Sequence, residues 1–289
     1  MTLRPLTLLL IALAFAKSIS AEPLRIAASD LLADYILGPI ADYASENNIE
    51  VLIDSIGSLP ALDRLSSDEL DLAIIAIPEG SDVPRDKYRL YPVAYDVAIV
   101  AVNASNPIDE ISVDSLGGIF GSNEELNHNT WGDLGLTGWG NRSIKPMAGM
   151  TADSISLELF KYSVFTGGVM KPGVTVVNDD EVEDLLTSDA ASIAILSRMP
   201  EDRNVKALMV SGPEGGPAFG PTEDNVHFGD YPIRLAFYIA FKDQKDDEMT
   251  DILRVLLGDE VAESLTENNI YPLPYTVRRK LVIDLDLER

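Results

Sequence analysis

Three short stretches of the 289-residue chain put small hydroxyl residues where an apolar run gives way to a helical pattern. Ser29 follows LRIAA, Gly57 and Ser58 follow VLIDSI, and Ser154 and Ser156 open a helical pattern behind MTAD. A helix start leaves backbone N–H groups without intrahelical partners and carries the positive end of the dipole. Hydroxyls beside those N–H groups form the parts of an oxyanion cradle. The same residues are also ordinary helix caps, so each stretch alone supports either reading. Their joint placement is more informative, because ligands in α/β folds gather at the carboxyl ends of strands. No Arg or Lys lies between Pro146 and Phe160, so the third stretch offers an anion only neutral donors. Arg142, Lys145 and Lys161 flank it and read as exposed charge at the ends of elements.

Other chemistry is poorly supported. The chain has no Cys, which removes disulfides, thiolate nucleophiles and thiolate metal sites. His128 and His227 stand far apart without ligand spacing and read as surface or capping residues. The acid clusters Asp179–Asp184 and Asp246–Asp251 lack the alternation and central Gly of a calcium loop. The first reads as a helix N-terminus favoured by the dipole, the second as a solvated linker. No Ser sits in a GxSxG elbow, and GPEGGPAFGP is too rich in Pro for a nucleotide loop. Neither an enzyme activity nor a cofactor is expected.

Residues 1–21 read as a secretory signal peptide, with Arg4 before an apolar run from Leu6 to Ala16 and small residues up to Ala21. Export without a lipid-anchor cysteine points to a periplasm. The chain carries a net charge of −25, and removing Arg4 and Lys17 with the leader makes it more acidic. Such a surface argues against nucleic acid and anionic lipid as partners.

The elements that must position these residues alternate strand and helix, which predicts α/β lobes with mainly parallel sheets. LRIAAS, EVLIDSIG, DLAIIAIP and YRLYPVAYDVAIVAVN read as strands, with a helix from Asp30 capped by Ser29 or Asp30, and another from Ser58. SIKPMAGM, GVTVVN, ASIAILS, VKALMVSG and IRLAFYIAFK read as later strands, with helices in SVDSLGGIF, from Ser154, in NDDEVEDLLTS and in DEMTDILRVLLGDEVAESLTENN. No internal repeat is evident.

PVAYDVAIVAVNASNPI, SVDSLGGIFGS, NTWGDLG and FGPTEDNVHFGDYPIRLAFYIAF together resemble the phosphate-binding (PstS-like) protein family of ATP-driven phosphate importers, from about Leu24 to Lys242. The resemblance implies a type II periplasmic-binding-protein-like fold of two lobes. It places lobe I at 22–102 with 236–289, lobe II at 103–235, and a hinge near Val102–Asn103 and Ile233–Leu235. It implies a monomer that delivers a small-molecule ligand to an inner-membrane ABC permease.

For the ligand it implies an early loop at Ala28, Ser29 and Asp30, a second at Ile56, Gly57 and Ser58, and a helix opening at Ser154, Ile155 and Ser156. Where the family carries an Arg and an Asp, this chain carries Met150 and Ala76, and Leu59-Pro60 replaces small residues. The cradle is thus expected to lack its charge. Phosphate or a related oxyanion remains the family expectation, beside two alternatives: a neutral solute, or a sensing or interaction protein without a transported ligand.

Overall fold

The computed structural model describes residues 22–78, 81, 85–150, 154–213, 215–242 and 246–287. Residues 1–21, read as a leader in the sequence, and Thr151, Ala152 and Asp153 lie outside them.

In chain order the elements are β1 (Leu24–Ala28), α1 (Ala33–Asn47), β2 (Val51–Ser55), α2 (Ser58–Ser66), β3 (Leu72–Ile77), β4 (Arg89–Val97) and β5 (Ile99–Asn103). Next come β6 (Glu110–Ser112), α3 (Val113–Phe120), β7 (Gly121–Ser122), a 3-10 turn at Trp131–Leu134, β8 (Lys145–Gly149), α4 (Ser156–Val164), β9 (Val169–Met170) and β10 (Thr175–Val177). Then follow α5 (Asp179–Ser188), β11 (Ser192–Leu196), β12 (Val205–Ala207), β13 (Met209–Ser211), α6 (Glu223–Phe228) and β14 (Arg234–Phe241). α7 (Asp246–Leu256), α8 (Asp259–Glu267), β15 (Tyr271–Pro272) and α9 (Tyr275–Leu287) complete it.

Two larger sheets organise these elements. The first has the order β15-β4-β14-β3-β1-β2 and the second β10-β8-β11-β5-β12. In each, three parallel strands are wound alike, β2-β1-β3 in one and β10-β8-β11 in the other. In each, the next strand inward, β14 or β5, runs antiparallel. The apolar strands β3, β5 and β11 lie inside their sheets and are buried along most or all of their length, which is why they read as continuous apolar runs.

The chain passes from the first sheet to the second at Ala98, between β4 and β5, and returns at Ile233, just before β14. YRLYPVAYDVAIVAVN is therefore two strands in two sheets, and the crossing precedes the expected Val102–Asn103. Leu235, placed with the second lobe by the sequence, belongs to β14 of the first sheet. The two crossings are tied together: the Ala98 N–H donates to the Ile233 carbonyl at 3.2 Å, and the Tyr231 hydroxyl donates to the Ala98 carbonyl at 2.8 Å. Tyr231 is fully buried, and burial pushes its phenol well above the ordinary range, so it stays a neutral donor.

Some local readings differ from the structure. α1 starts at Ala33 behind a turn, and neither Ser29 nor Asp30 caps it. The acids from Asp246 open α7 rather than form a linker. VKALMVSG divides between β12 and β13, which pair with different strands. α6 and α9 occupy segments read as loop and tail.

Candidate functional site

The carboxyl ends of the parallel strands carry the expected residues. After β1, Ser29 is buried; its backbone N–H donates to the Ile74 carbonyl of the neighbouring strand β3, and its own carbonyl accepts from Leu32 and Ala33. Its hydroxyl receives the Leu31 N–H at 3.4 Å, so the side chain shapes the turn into α1. Asp30 beside it is exposed. After β2, Gly57 is the extended residue in front of α2. Ser58 Oγ accepts the Ala76 N–H at 2.8 Å, which joins the start of α2 to the end of β3. A hydroxyl that accepts a hydrogen bond still has its own proton to donate.

In the second sheet the analogous loop follows β8. Ser154 Oγ accepts the Ser156 N–H at 3.1 Å, Ile155 is the residue preceding α4 and packs on the core, and Ser156 is buried. α4 also touches β4 and β14 of the first sheet. Ser29, Ser58 and Ser154 are thus at strand ends of the two sheets, each already serving a local hydrogen bond.

The basic residues flanking the third stretch are engaged elsewhere. Arg142 lies over the Trp139 ring at 4.1 Å, Lys145 pairs with Asp189, and Lys161 pairs with Glu158 at 2.6 Å. Met150, at the position where the resemblance implies Arg, is 55% exposed. Ala76 pairs with Phe237 of β14 and offers no acceptor side chain.

Sequence reasoning missed the acid that sits deepest at these strand ends. Asp179, the first residue of α5, is 2% exposed; its Oδ2 accepts the Ser197 hydroxyl and, at 3.1 Å, the Ser197 N–H. Its Oδ1 has no hydrogen-bond partner among the described residues and presses on Gly149, where a Cβ would collide with it. The negative charge at the start of NDDEVEDLLTS was legible as a helix-start signal, but its burial was not. Next to Ser197, Arg198 is held by Asp180, Glu183 and Glu201 at 2.6–3.0 Å.

A second buried acid lies by the crossing. Asp96 is 5% exposed, its Oδ1 accepts the Val97 N–H at 2.8 Å, and burial pushes its carboxyl up to about 6. Both histidines are half-buried. The His227 Nδ1 and the Tyr95 hydroxyl lie 2.9 Å apart, and burial followed by the Arg234 charge lowers the imidazole below its ordinary value. His128 packs against Gly118, and burial likewise lowers it.

The profile of the PBP superfamily domain matches residues 16–260. The chain belongs to the PBP superfamily. Its PstS-like character is seen in curated relatives: the phosphate-binding protein PstS of Pseudomonas aeruginosa is 25% identical over 208 residues, 68% of this chain. The match spans 64% of that relative's length. Two solved structures share the fold. A possible phosphate binding protein from Planctomyces limnophilus matches with a TM-score of 0.69 at 15% identity, over 91% of this chain and 97% of that one. PstS from Borrelia burgdorferi matches with a TM-score of 0.69 at 17% identity, over 87% and 98%. The mixed α/β architecture is accordingly that of two-lobed binding proteins. Among the described residues, no helix is long and apolar enough to cross a membrane.

Proposed function

We propose that the chain is the extracytoplasmic solute-binding component of an ABC-type importer, and that it captures phosphate or a related oxyanion between two lobes. The observation that carries this is the recurrence of hydroxyl-bearing helix openings, at α2 and α4, on the carboxyl ends of the parallel strands of two sheets wound alike. In this reading lobe I is built on the first sheet and lobe II on the second. Closure turns about Ala98 and Ile233 and brings Ser29, Asp30, Gly57 and Ser58 towards Ser154, Ile155 and Ser156. The closed form, released in a periplasm after loss of the leader, is then offered to a permease as a monomer. The donors are hydroxyls and backbone N–H groups, so the oxyanion is held without a cationic side chain from Met150.

Calorimetric titration of the purified protein, stripped of carried-over ligand by mild unfolding and refolding, tests this. Micromolar phosphate binding is expected, and Ser58→Ala with Ser154→Ala should weaken it. Met150→Arg should tighten it by about ten- to a hundredfold, because a charge-assisted hydrogen bond contributes roughly 1.5–3 kcal/mol. No heat and no rise in melting temperature at millimolar phosphate, phosphonate and phosphate ester would refute the reading and favour a protein that uses this scaffold without an oxyanion.

A further inference from the structure

We infer that Met199 is a positioning residue: its bulk, in a cavity on the far side of the crossings from the strand ends at Ser29, Ser58 and Ser154, sets ligand affinity by biasing lobe closure. The inference rests on the proposed closure about Ala98 and Ile233 and goes beyond it.

The sheet orders give the molecule a front and a rear. Around β4, the strand that leads into the crossing at Ala98, the first sheet has β14-β3-β1-β2 on one side and β15 on the other. Around β5, the strand that leads out of that crossing, the second sheet has β11-β8-β10 on one side and β12 on the other. The openings after β1, β2 and β8 all belong to the larger, front group in their sheet. Met199 lies in the segment that leads from β11 to β12, on to the rear. With Arg198 it forms one wall of a cavity of about 170 Å³. Thr266, Ile270, Tyr271 and Pro272, the end of α8 and β15, line the same cavity from the first sheet. The chain segments of the two sheets therefore meet behind the crossings around an incompletely filled space.

Nothing polar locks this rear contact. Arg198 is held by Asp180, Glu183 and Glu201, all on its own side. The Tyr271 phenol, pushed up to about 12 by burial and then by the Glu223 charge, is a neutral group. Among the described residues, no hydrogen bond or ion pair joins 197–204 to 266–272. The walls can therefore part or approach without breaking one. Met199 is 47% exposed, and its unbranched side chain fills only part of the gap. A rotation that brings the front strand ends together widens a gap on the opposite side of its axis. The volume packed at the rear thus limits how far the front can open. Affinity follows, because it scales with the fraction of molecules in the binding-competent arrangement.

The experiment measures the distance between two spin labels on the purified, ligand-free protein. The chain has no Cys, so Asp63→Cys on α2 and Asp184→Cys on α5, both exposed, are labelled alone. Met199→Trp is expected to shift the distance distribution towards shorter values, and Met199→Ala towards longer ones. Thr266→Trp, which fills the cavity from the opposite wall, should act like Met199→Trp; a merely structural role would alter the unfolding midpoint and leave the distances unmoved. In calorimetry with inorganic phosphate, Met199→Trp should bind about three- to tenfold more tightly than the parent, the gain lying in slower dissociation. Distances that stay put, or that lengthen on filling the cavity, overturn the inference. Absence of phosphate binding in parent and variants alike removes the oxyanion reading alone, since the label distances need no ligand.

Discussion

Replacing Asp96 with Asn should stabilise the protein at neutral pH and change little at pH 4. The carboxyl is 5% exposed, has the adjacent Val97 N–H as its hydrogen-bond donor, and is pushed by burial from an ordinary 3.8 up to about 6. The folded state therefore holds this proton more tightly than the unfolded chain does. Stability from that proton is fully present below the ordinary pKa and is lost as pH rises through the folded value. A gap of about two units, at about 1.4 kcal/mol per unit, corresponds to about 3 kcal/mol between pH 4 and pH 7.5 as an upper figure. Asn keeps the acceptor for Val97 and never ionises, so it avoids the loss. His128 and His227, both lowered by burial, tilt the pH profile in the opposite sense. They are common to both proteins, so the difference between variant and parent isolates Asp96. Urea unfolding at the two pH values gives that difference directly. An Asp96→Asn variant that gains the same stability at both pH values, or loses stability at pH 7.5, would refute the argument that an ionised carboxylate is buried beside the crossing.

Two further outcomes follow from buried contacts. Tyr231→Phe leaves the Ala98 carbonyl without its hydroxyl donor, so it should lower unfolding free energy by about 1–3 kcal/mol in denaturant titration; an unchanged midpoint would mean that water replaces the donor. Gly149→Ala forces a methyl against Asp179 and should cost about 1–3 kcal/mol, with most of that loss recovered in the Gly149→Ala, Asp179→Ala double variant. Additive losses in that cycle would place the strain elsewhere.

Strands whose residues are buried on both faces were legible because burial selects an uninterrupted run of β-branched and aliphatic residues, as in LAIIAI and SIAIL. The crossing at Ala98 was not, because the chain changes sheets between Val97 and Ile99 without a Gly, Pro or polar residue to mark the change. α9 carries a readable signal in Pro274 followed by Val277 and Leu281, which pack on the core, but it sits behind YPLPY, where two prolines suggest a tail. α6 is short and enclosed by Gly and Pro, although Thr222 caps it as its sequence allows. At the candidate site, the hydroxyls and the missing charge could be read from residue types and resemblance. Asp96, Asp179 and Tyr231 could not, since nothing local distinguishes a buried polar side chain from a solvated one. Their roles arise from segments far apart in sequence, as when Asp179 meets Ser197 and Gly149.

The position of β14 imposes an order on how the protein is made. Among the described residues, β4 has only β14 and β15 as hydrogen-bonded neighbours in its sheet, and both come from the last part of the chain. During synthesis, β1, β2 and β3 can pair as soon as they emerge, whereas β4 stays without a sheet until everything through Ile233 has appeared. The second sheet, whose strands all lie between β5 and β12 in the chain, can be complete well before the first. Completion of the first sheet is thus a long-range closure, the slow kind in folding kinetics, and until then the apolar edge of β3 is open to other chains. A chain built this way gains from being held unfolded until its C-terminal segment is available, so that β14 enters between β3 and β4 before another strand does.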